Sequence, residues 1–242
     1  MHDSADILKR RIQKHFRVAL ATYRLVDDGD KILVGLSGGK DSLCLLELLA
    51  LRQRIFRPSF SIEAIHVRMD NISYKSDTSY LSRFCEGYGV PLHIVTTGFE
   101  HRPGDRKPVC FLCSWHRRKE MFRVAQERGC NKIALGHHND DIIHTALMNL
   151  IFQGRFSTMP ASLRMRKMPL TIIRPLCLEH ESDLSLYAQW RHYQPQEALC
   201  PFEDVSKRTF IRRLFQRLEA LCPDVRNSLW NALEKDGKLM EE

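Results

Sequence analysis

Ser37-Gly38-Gly39-Lys40-Asp41-Ser42 follows the apolar run Lys31-Ile32-Leu33-Val34-Gly35-Leu36 and opens the run Asp41-Ser42-Leu43-Cys44-Leu45-Leu46-Glu47-Leu48-Leu49. The first run reads as a strand, the last as a helix, and the glycines as the turn between them. In that order they make an anion cradle. Unpaired N–H groups and the positive end of the helix dipole face whatever sits there. Glycine lets the backbone approach a phosphate closely and take φ > 0 at little cost. Lys40 adds a positive charge and Ser42 a hydroxyl.

A Walker-type loop needs four residues between its first glycine and the Gly-Lys pair, then Ser or Thr. Here three residues separate Gly35 from Gly39, and Asp41 follows the lysine. The stretch instead resembles the PP-loop of the ATP pyrophosphatases, which split ATP into AMP and pyrophosphate and activate a substrate oxygen as an adenylate.

Strand-like and helix-like runs alternate outward from this loop. Residues 5–24 place Ile7, Leu8, Ile12, Phe16, Val18, Leu20 and Tyr23 at helical spacing. Strands are expected at 31–36, 61–69, 91–97, 131–135 and 170–173, and helices at 40–54, 79–88 and 140–152. This order implies an α/β fold, a parallel sheet with helices on both faces, and a ligand site at the strands' carboxyl ends. From Glu179 onward strand signals stop, and 180–192, 207–221 and 224–233 read as helices between proline-containing loops. The expected organisation is an N-terminal helix (1–25), a PP-loop domain (26–178) and a small helical C-terminal appendage (179–242).

The 242 residues are 43% hydrophobic, enough for a sizeable core, and no apolar run approaches membrane-span length. Met1-His2-Asp3-Ser4-Ala5-Asp6 lacks the basic-then-apolar order of a secretory signal, so a cytoplasmic protein is expected. The formal net charge is +8. Its excess is clustered at Lys9-Arg10-Arg11, Arg117-Arg118-Lys119, Arg164-Met165-Arg166-Lys167, Lys207-Arg208 and Arg212-Arg213. Such clusters suit either solvated helix faces or a polyanion such as RNA, and an ATP site alone does not need so many.

Eight cysteines in a chain of this size, without a secretory signal, favour metal or redox chemistry over disulfides. The long connection 98–109 ends in Cys110-Phe111-Leu112-Cys113. A C-x-x-C at a loop-to-helix junction can present both sulfurs to one metal centre, and nearby arginines favour thiolates. One pair is incomplete as a tetrahedral zinc site. Spacing leaves Cys177, Cys200 and Cys222 all open as a further ligand. Gly136-His137-His138-Asn139-Asp140-Asp141 enters a helix after the fourth strand. Gly136 permits close approach, and Asp140 and Asp141 suit either helix capping or Mg2+ on ATP phosphates. His137 is the preferred site histidine over His138. His66-Val67-Arg68-Met69 ends the second strand, where adenine should lie, which makes Met69 a candidate for base contact.

Over nearly its full length the chain resembles the tRNA 2-thiocytidine synthetase family of PP-loop ATP pyrophosphatases. The residues that carry the resemblance are 37–42, Cys110-Phe111-Leu112-Cys113-Ser114 with Arg117-Arg118, and Ile133-Ala134-Leu135-Gly136-His137-His138-Asn139-Asp140-Asp141-Ile142. It continues through Met148-Asn149-Leu150-Ile151-Phe152-Gln153-Gly154, Met159-Pro160 and Ile173-Arg174-Pro175-Leu176. The resemblance implies an adenine nucleotide alpha hydrolase-like fold and an iron–sulfur-dependent tRNA thiolase. It implies a [4Fe-4S] cluster held by three cysteines, matching Cys110, Cys113 and Cys200, with one iron left open. Glu197 stands where the family commonly carries a further cysteine. The Gly-His-x-x-Asp-Asp match assigns Gly136, His137, Asp140 and Asp141 to the nucleotide, beside Ser37, Gly38, Gly39, Lys40, Asp41 and Ser42. Lys40, Asp41 and the three cysteines are the expected catalytic set. ATP, Mg2+ and the cluster are the expected cofactors. The expected partners are tRNA and a sulfur donor, a cysteine desulfurase. No membrane partner is expected, and a homodimer is compatible with the sequence. The rival readings are an amidotransferase or tRNA-lysidine ligase type of PP-loop enzyme, neither of which needs the C-x-x-C, and a non-enzymatic metal-bound RNA-binding protein, which has no use for the PP-loop.

Overall fold

The computed structural model describes residues 2–55, 57–71, 76–100, 108–194 and 207–241. The elements run α1 (His2–Thr22), β1 (Lys31–Gly35), α2 (Lys40–Gln53), β2 (Ser61–Met69), α3 (Thr78–Tyr88), β3 (Leu92–Thr97), α4 (Val109–Glu127), β4 (Lys132–Ala134) and α5 (Asn139–Gln153). Then follow β5 (Ser162–Arg164), β6 (Thr171–Ile173), α6 (Glu181–Trp190), α7 (Lys207–Leu221), α8 (Val225–Lys235) and β7 (Met240–Glu241). Among the described residues the strands form one sheet in the order β3-β2-β1-β4-β6-β5-β7. The pairs from β3 through β6 are parallel, β5 runs antiparallel to β6, and β5 and β7 are parallel.

Period-two alternation explains how the sheet is buried on both sides. Ile32 and Val34 of β1, with Ile62 and Ala64 of β2, join the large core under α1, α2, α3 and α6. Leu33, Ile65, Val67 and Ile133 face the other way, against Val124 and Ala125 of α4. Helix α2 is buried from Ser42 to Ala50 because sheet and helices enclose it. The large core takes Ile12 from α1 and Leu184 and Tyr187 from α6, so the residues beyond 178 complete it. Helix α7 packs on α5 instead, through Ile211 and Phe215 against Ile143 and Leu147.

The amino ends of the central strands are locked by charge pairs centred on the buried Lys132 and Glu63. Lys132 lies 2.9 Å from Asp27 and 2.7 Å from Asp30. Glu63 meets Lys31 at 2.8 Å, His93 at 2.6 Å and Arg128 at 2.9 Å. Burial pushes the Glu63 carboxyl up, but Arg128, Lys31 and His93 outweigh it and hold it down at about 2. The carboxyl ends are thereby left to carry chemistry.

Three expectations need correction. Strand signals do not stop at Glu179: Met240–Glu241 returns to the sheet beside β5. The expected strand at 170–173 is β6, and β5 pairs with it as a hairpin partner that the sequence reading does not include. Three-residue and two-residue strands are too short for periodicity to reveal, and pairing alone defines them. The C-x-x-C also lies within the first two turns of α4, not at the end of a loop. Pro108 is the N-cap, a place where a missing N–H does no harm, and the helix starts directly after it.

Between β6 and α6, Glu179 is 1% exposed and neither carboxylate oxygen has a hydrogen-bond partner. His15 Nδ1 stands 3.5 Å from Oε2. Burial, then the Asp183 charge, push the carboxyl up to about 8, with Arg11 opposing. The folded state therefore holds a proton that the unfolded chain releases. Stability should fall as pH rises from the ordinary carboxylate value to about 8. Urea midpoints measured across that range should decline in the wild type and flatten in Glu179→Gln. Parallel profiles would contradict this reading of Glu179.

Candidate nucleotide site under a basic helix

The chain between β1 and α2 turns on Gly38, whose φ of +92° favours glycine. Ser42 Oγ accepts from Gly38 N–H at 3.2 Å and from the Ser37 hydroxyl at 3.1 Å, and donates to Gly39 O at 2.8 Å. Ser37 Oγ accepts from Gly39 N–H at 3.2 Å. The loop is thus closed on its own serines by contacts at the long end of the hydrogen-bond range, which an anion can replace. Gly39 is the N-cap of α2 and brings no side-chain hydrogen bond to it. Lys40 Nζ lies 3.2 Å from the Asp41 carboxylate and 3.7 Å from Glu181 Oε1.

Gly136 joins this loop to the end of β4. A Cβ there would stand 3.1 Å from Asp41 C, Asp41 O and Ser42 N. These are backbone atoms of the first turn of α2, which cannot swing aside. His138 is the N-cap of α5, and its N–H donates to Asp141 Oδ2 at 3.3 Å. Asp140 is saturated: Oδ2 accepts from Glu181 N–H at 2.8 Å, and Oδ1 lies 2.8 Å from Arg226 Nη2 of α8. Arg226 also donates to Asn139 Oδ1 at 2.9 Å and Glu219 Oε1 at 2.7 Å. Burial pushes the Asp140 carboxyl up, but His138, the Glu181 N–H and Arg226 outweigh it and hold it well below the carboxylate range.

Asp41 differs. Burial raises its carboxyl, opposed by Lys40 and His138 and reinforced by the Asp141 charge. Burial disfavours the His138 cation, but Asp140, Asp141 and Asp41 outweigh that and raise its pKa. Asp41, Asp141, His138 and Lys40 therefore form one mixed-charge cluster, whereas Asp140 belongs to a structural network.

A cavity of about 290 Å³ opens beside the loop. Its lining includes Ser37 after β1, His66 of β2 and His137 after β4, with Arg117, Arg118 and Met121 of α4 as its roof. Ser114, Arg117, Arg118 and Met121 follow helical i, i+3, i+4, i+7 spacing, so one face of α4 closes the cavity. Cys110 and Cys113 sit one turn earlier, toward the helix N-terminus, where Cys110 is exposed and Cys113 half-buried. Arg174, 5% exposed, donates from Nε to His137 Nδ1 at 3.3 Å. It also donates from Nη1 to Pro160 O. His137 therefore carries its proton on Nε2, and burial followed by Arg174 hold it neutral well below the usual imidazole range. His66 has the opposite polarity. Its Nδ1–H donates to Leu36 O at 2.7 Å, which leaves Nε2 a buried acceptor without a partner on the cavity wall.

A family profile described as a PP-loop domain matches residues 7–218. A tRNA-cytidine(32) 2-sulfurtransferase of Francisella tularensis subsp. tularensis is 36% identical over 231 residues, 93% of this chain and 86% of that protein. The chain belongs to the tRNA-cytidine 2-sulfurtransferase family of PP-loop enzymes. A Bdellovibrio bacteriovorus protein of the same description is 35% identical over 96% of this chain and 91% of its own. Among solved structures, the U34-tRNA thiolase NcsA of Methanococcus maripaludis, with its [4Fe-4S] cluster, superposes with a TM-score of 0.78. That match has 25% identity and covers 96% of this chain and 79% of NcsA.

Of the expected site residues in this 2-sulfurtransferase family member, Ser37 through Ser42, Gly136, His137 and Asp141 converge at one sheet edge, and Cys110 and Cys113 stand above it. Met69 is buried at the last position of β2 and does not line the cavity. Cys200 lies outside the described residues. Among the described residues no three His, Cys, Asp or Glu side chains are grouped to hold a metal ion. Sequence reasoning passed over His66, Arg174 and Arg226. Arg174 stood in a quoted motif, whereas Arg226 carried no local signal. The packing of Gly136 on α2 makes a direct test: Gly136→Ala should cost about 1–3 kcal/mol by overpacking. A urea midpoint unchanged from wild type would contradict the close approach.

Proposed function

We propose that this chain is an ATP-dependent, iron–sulfur-dependent tRNA thiolase that activates cytidine O2 by adenylation and replaces it with sulfur, giving 2-thiocytidine. The observation that carries this reading is one cavity lined by Ser37 of the serine-glycine loop, by His66 and His137, and by the face of α4 that follows the C-x-x-C. In the proposed reaction cytidine O2 attacks the α-phosphate of ATP and pyrophosphate leaves. A sulfur nucleophile then adds at C2, the C2–O bond breaks, and AMP departs with the former O2.

The loop N–H groups and Lys40 would bear on the phosphates. Neutral His137 would offer its Nε2–H to an anionic oxygen across the working pH range. His66 Nε2 would accept from an amino or hydroxyl group of the nucleoside, taking the place in which Met69 was expected. The Asp41 and Asp141 carboxylates would be offered to Mg2+, which would neutralise phosphate charge, while Asp140 positions the cluster through His138 and Arg226. Residues 26–178 would carry the nucleotide and 179–242 would brace it.

The cysteine pair fits an iron–sulfur cluster. It stands at a helix N-terminus without acidic residues in the first turn, and the roof arginines follow on the same helix. Cys200 is proposed as the third ligand on the family resemblance alone. When bound, the cluster supplies thiolate-held iron with one open site for sulfur. The sulfur donor would be a cysteine desulfurase, the setting cytoplasmic, and a homodimer compatible with both.

Two measurements test this reading. Asp41→Ala and Ser42→Ala should each abolish RNA-dependent AMP formation while the circular dichroism stays native, and wild-type turnover in both would sink the ATP half. In anaerobic preparations Cys110→Ser, Cys113→Ser and Cys200→Ser should lose iron, whereas Cys177→Ser and Cys222→Ser keep it. Iron retained in all five variants would remove the cluster.

A further inference from the structure

Two phenylalanines beside the site are not used by the core. Phe152, at the end of α5, is 41% exposed and Phe210, in the first turn of α7, is 56% exposed. Their ring centroids lie 6.2 Å apart with planes at 62°. Helix α7 buries Ile211 and Phe215 against α5, and Phe210 falls off that stripe by one residue, about 100° around the helix. The side chain is therefore presented to solvent and contributes little to folding. Lys207 Nζ sits 4.8 Å above the Phe152 ring. Arg155, Arg208, Arg212 and Arg213 are exposed around the pair, and neither 150–155 nor 207–213 contains an acidic residue.

The patch adjoins the nucleotide site. Arg212 Nη2 lies 3.8 Å from Glu181 Oε1, which lies 3.7 Å from Lys40 Nζ. The Arg208 charge also contributes to holding down the proton affinity of His137 on the cavity wall. An apolar patch meant for a protein partner has no need of four arginines and a lysine over its ring. A single-stranded nucleic acid needs this combination: π-faces for bases and cations for the phosphates between them.

We infer that Phe152 and Phe210 form a stacking platform for unpaired bases of the RNA substrate, with Lys207, Arg155 and Arg208 on the adjoining phosphates. The platform holds single-stranded RNA at the mouth of the cavity, next to the nucleotide that reacts. The inference rests on the tRNA reading above and deepens it: the enzyme grips a looped-out, unstacked stretch and not a duplex.

The test is RNA binding by the full chain without ATP, read by fluorescence anisotropy. The probes are a short unstructured pyrimidine-rich RNA, a duplex of matching charge and unmodified tRNA. Phe152→Ala and Phe210→Ala should each weaken single-strand binding about five- to hundredfold, the range for loss of one base–aromatic stack. Duplex binding and the salt slope should not change, because no charge is removed. Phe210→Tyr should retain affinity and Phe210→Leu should lose it. By contrast, Arg208→Ala should lower the salt slope by about one. Wild-type affinity in both alanine variants would overturn the platform, and so would full recovery with leucine, which would mark an apolar docking surface. Loss of binding to anionic vesicles in place of RNA would overturn it in favour of a membrane contact. If the wild type binds tRNA salt-sensitively and both alanine variants match it, only the platform fails. If the wild type binds no RNA, the tRNA reading fails with it.

Discussion

The contact of Gly136 with the first turn of α2 is the constraint on which the site depends. Strands β1 and β4 are neighbours in the sheet, but neighbouring strands do not oblige the loops beyond them to touch. Here the missing side chain lets the β4 loop rest against the backbone of Asp41 and Ser42. That contact brings the acids of α5 to the acid of α2, and His137 to the phosphate loop. Any larger residue would part the two halves of the site by pushing on a helix backbone, not on a movable side chain.

The charged groups around this contact divide by role. Asp140 spends both oxygens on the protein, one on Glu181 N–H and one on Arg226. It therefore ties α5, α6 and α8 together. Asp41 and Asp141 instead share their charge with Lys40 and His138 where the two loops meet. The two cavity histidines are fixed in opposite tautomers by their partners, His137 by Arg174 and His66 by the Leu36 carbonyl. One offers a proton and the other a lone pair, and burial lowers the proton affinity of both. Hydrogen-bond polarity of this kind discriminates between ligand groups more sharply than cavity shape alone.

Much of this was legible along the chain wherever the determining chemistry is local. The serine-glycine loop reads correctly because its turn, its N–H groups and its hydroxyls lie within six residues. Strand 61–69 and helix 207–221 fall where their periodicity puts them. Short strands did not show, since Ser162–Arg164 and Met240–Glu241 exist only through each other and β6. The first turn of α4 was misread because the proline-rich approach to Cys110 looks like loop, although Pro108 serves as its N-cap. The role of Arg226 was out of reach, for it meets Asn139 across 87 residues of sequence. The buried Nε2 of His66 at the end of β2 becomes visible only once Leu36 has claimed the other nitrogen.

In the proposed reaction a base oxygen is activated at the nucleotide before sulfur arrives from the C-x-x-C side. That order has an atomic signature. Cytidine labelled with 18O at O2, placed in the substrate RNA and incubated with ATP and a sulfur source, should yield AMP that carries the label, as mass spectrometry of the nucleotide would show. Unlabelled AMP alongside thiolated RNA, with the label released to water, would contradict the account.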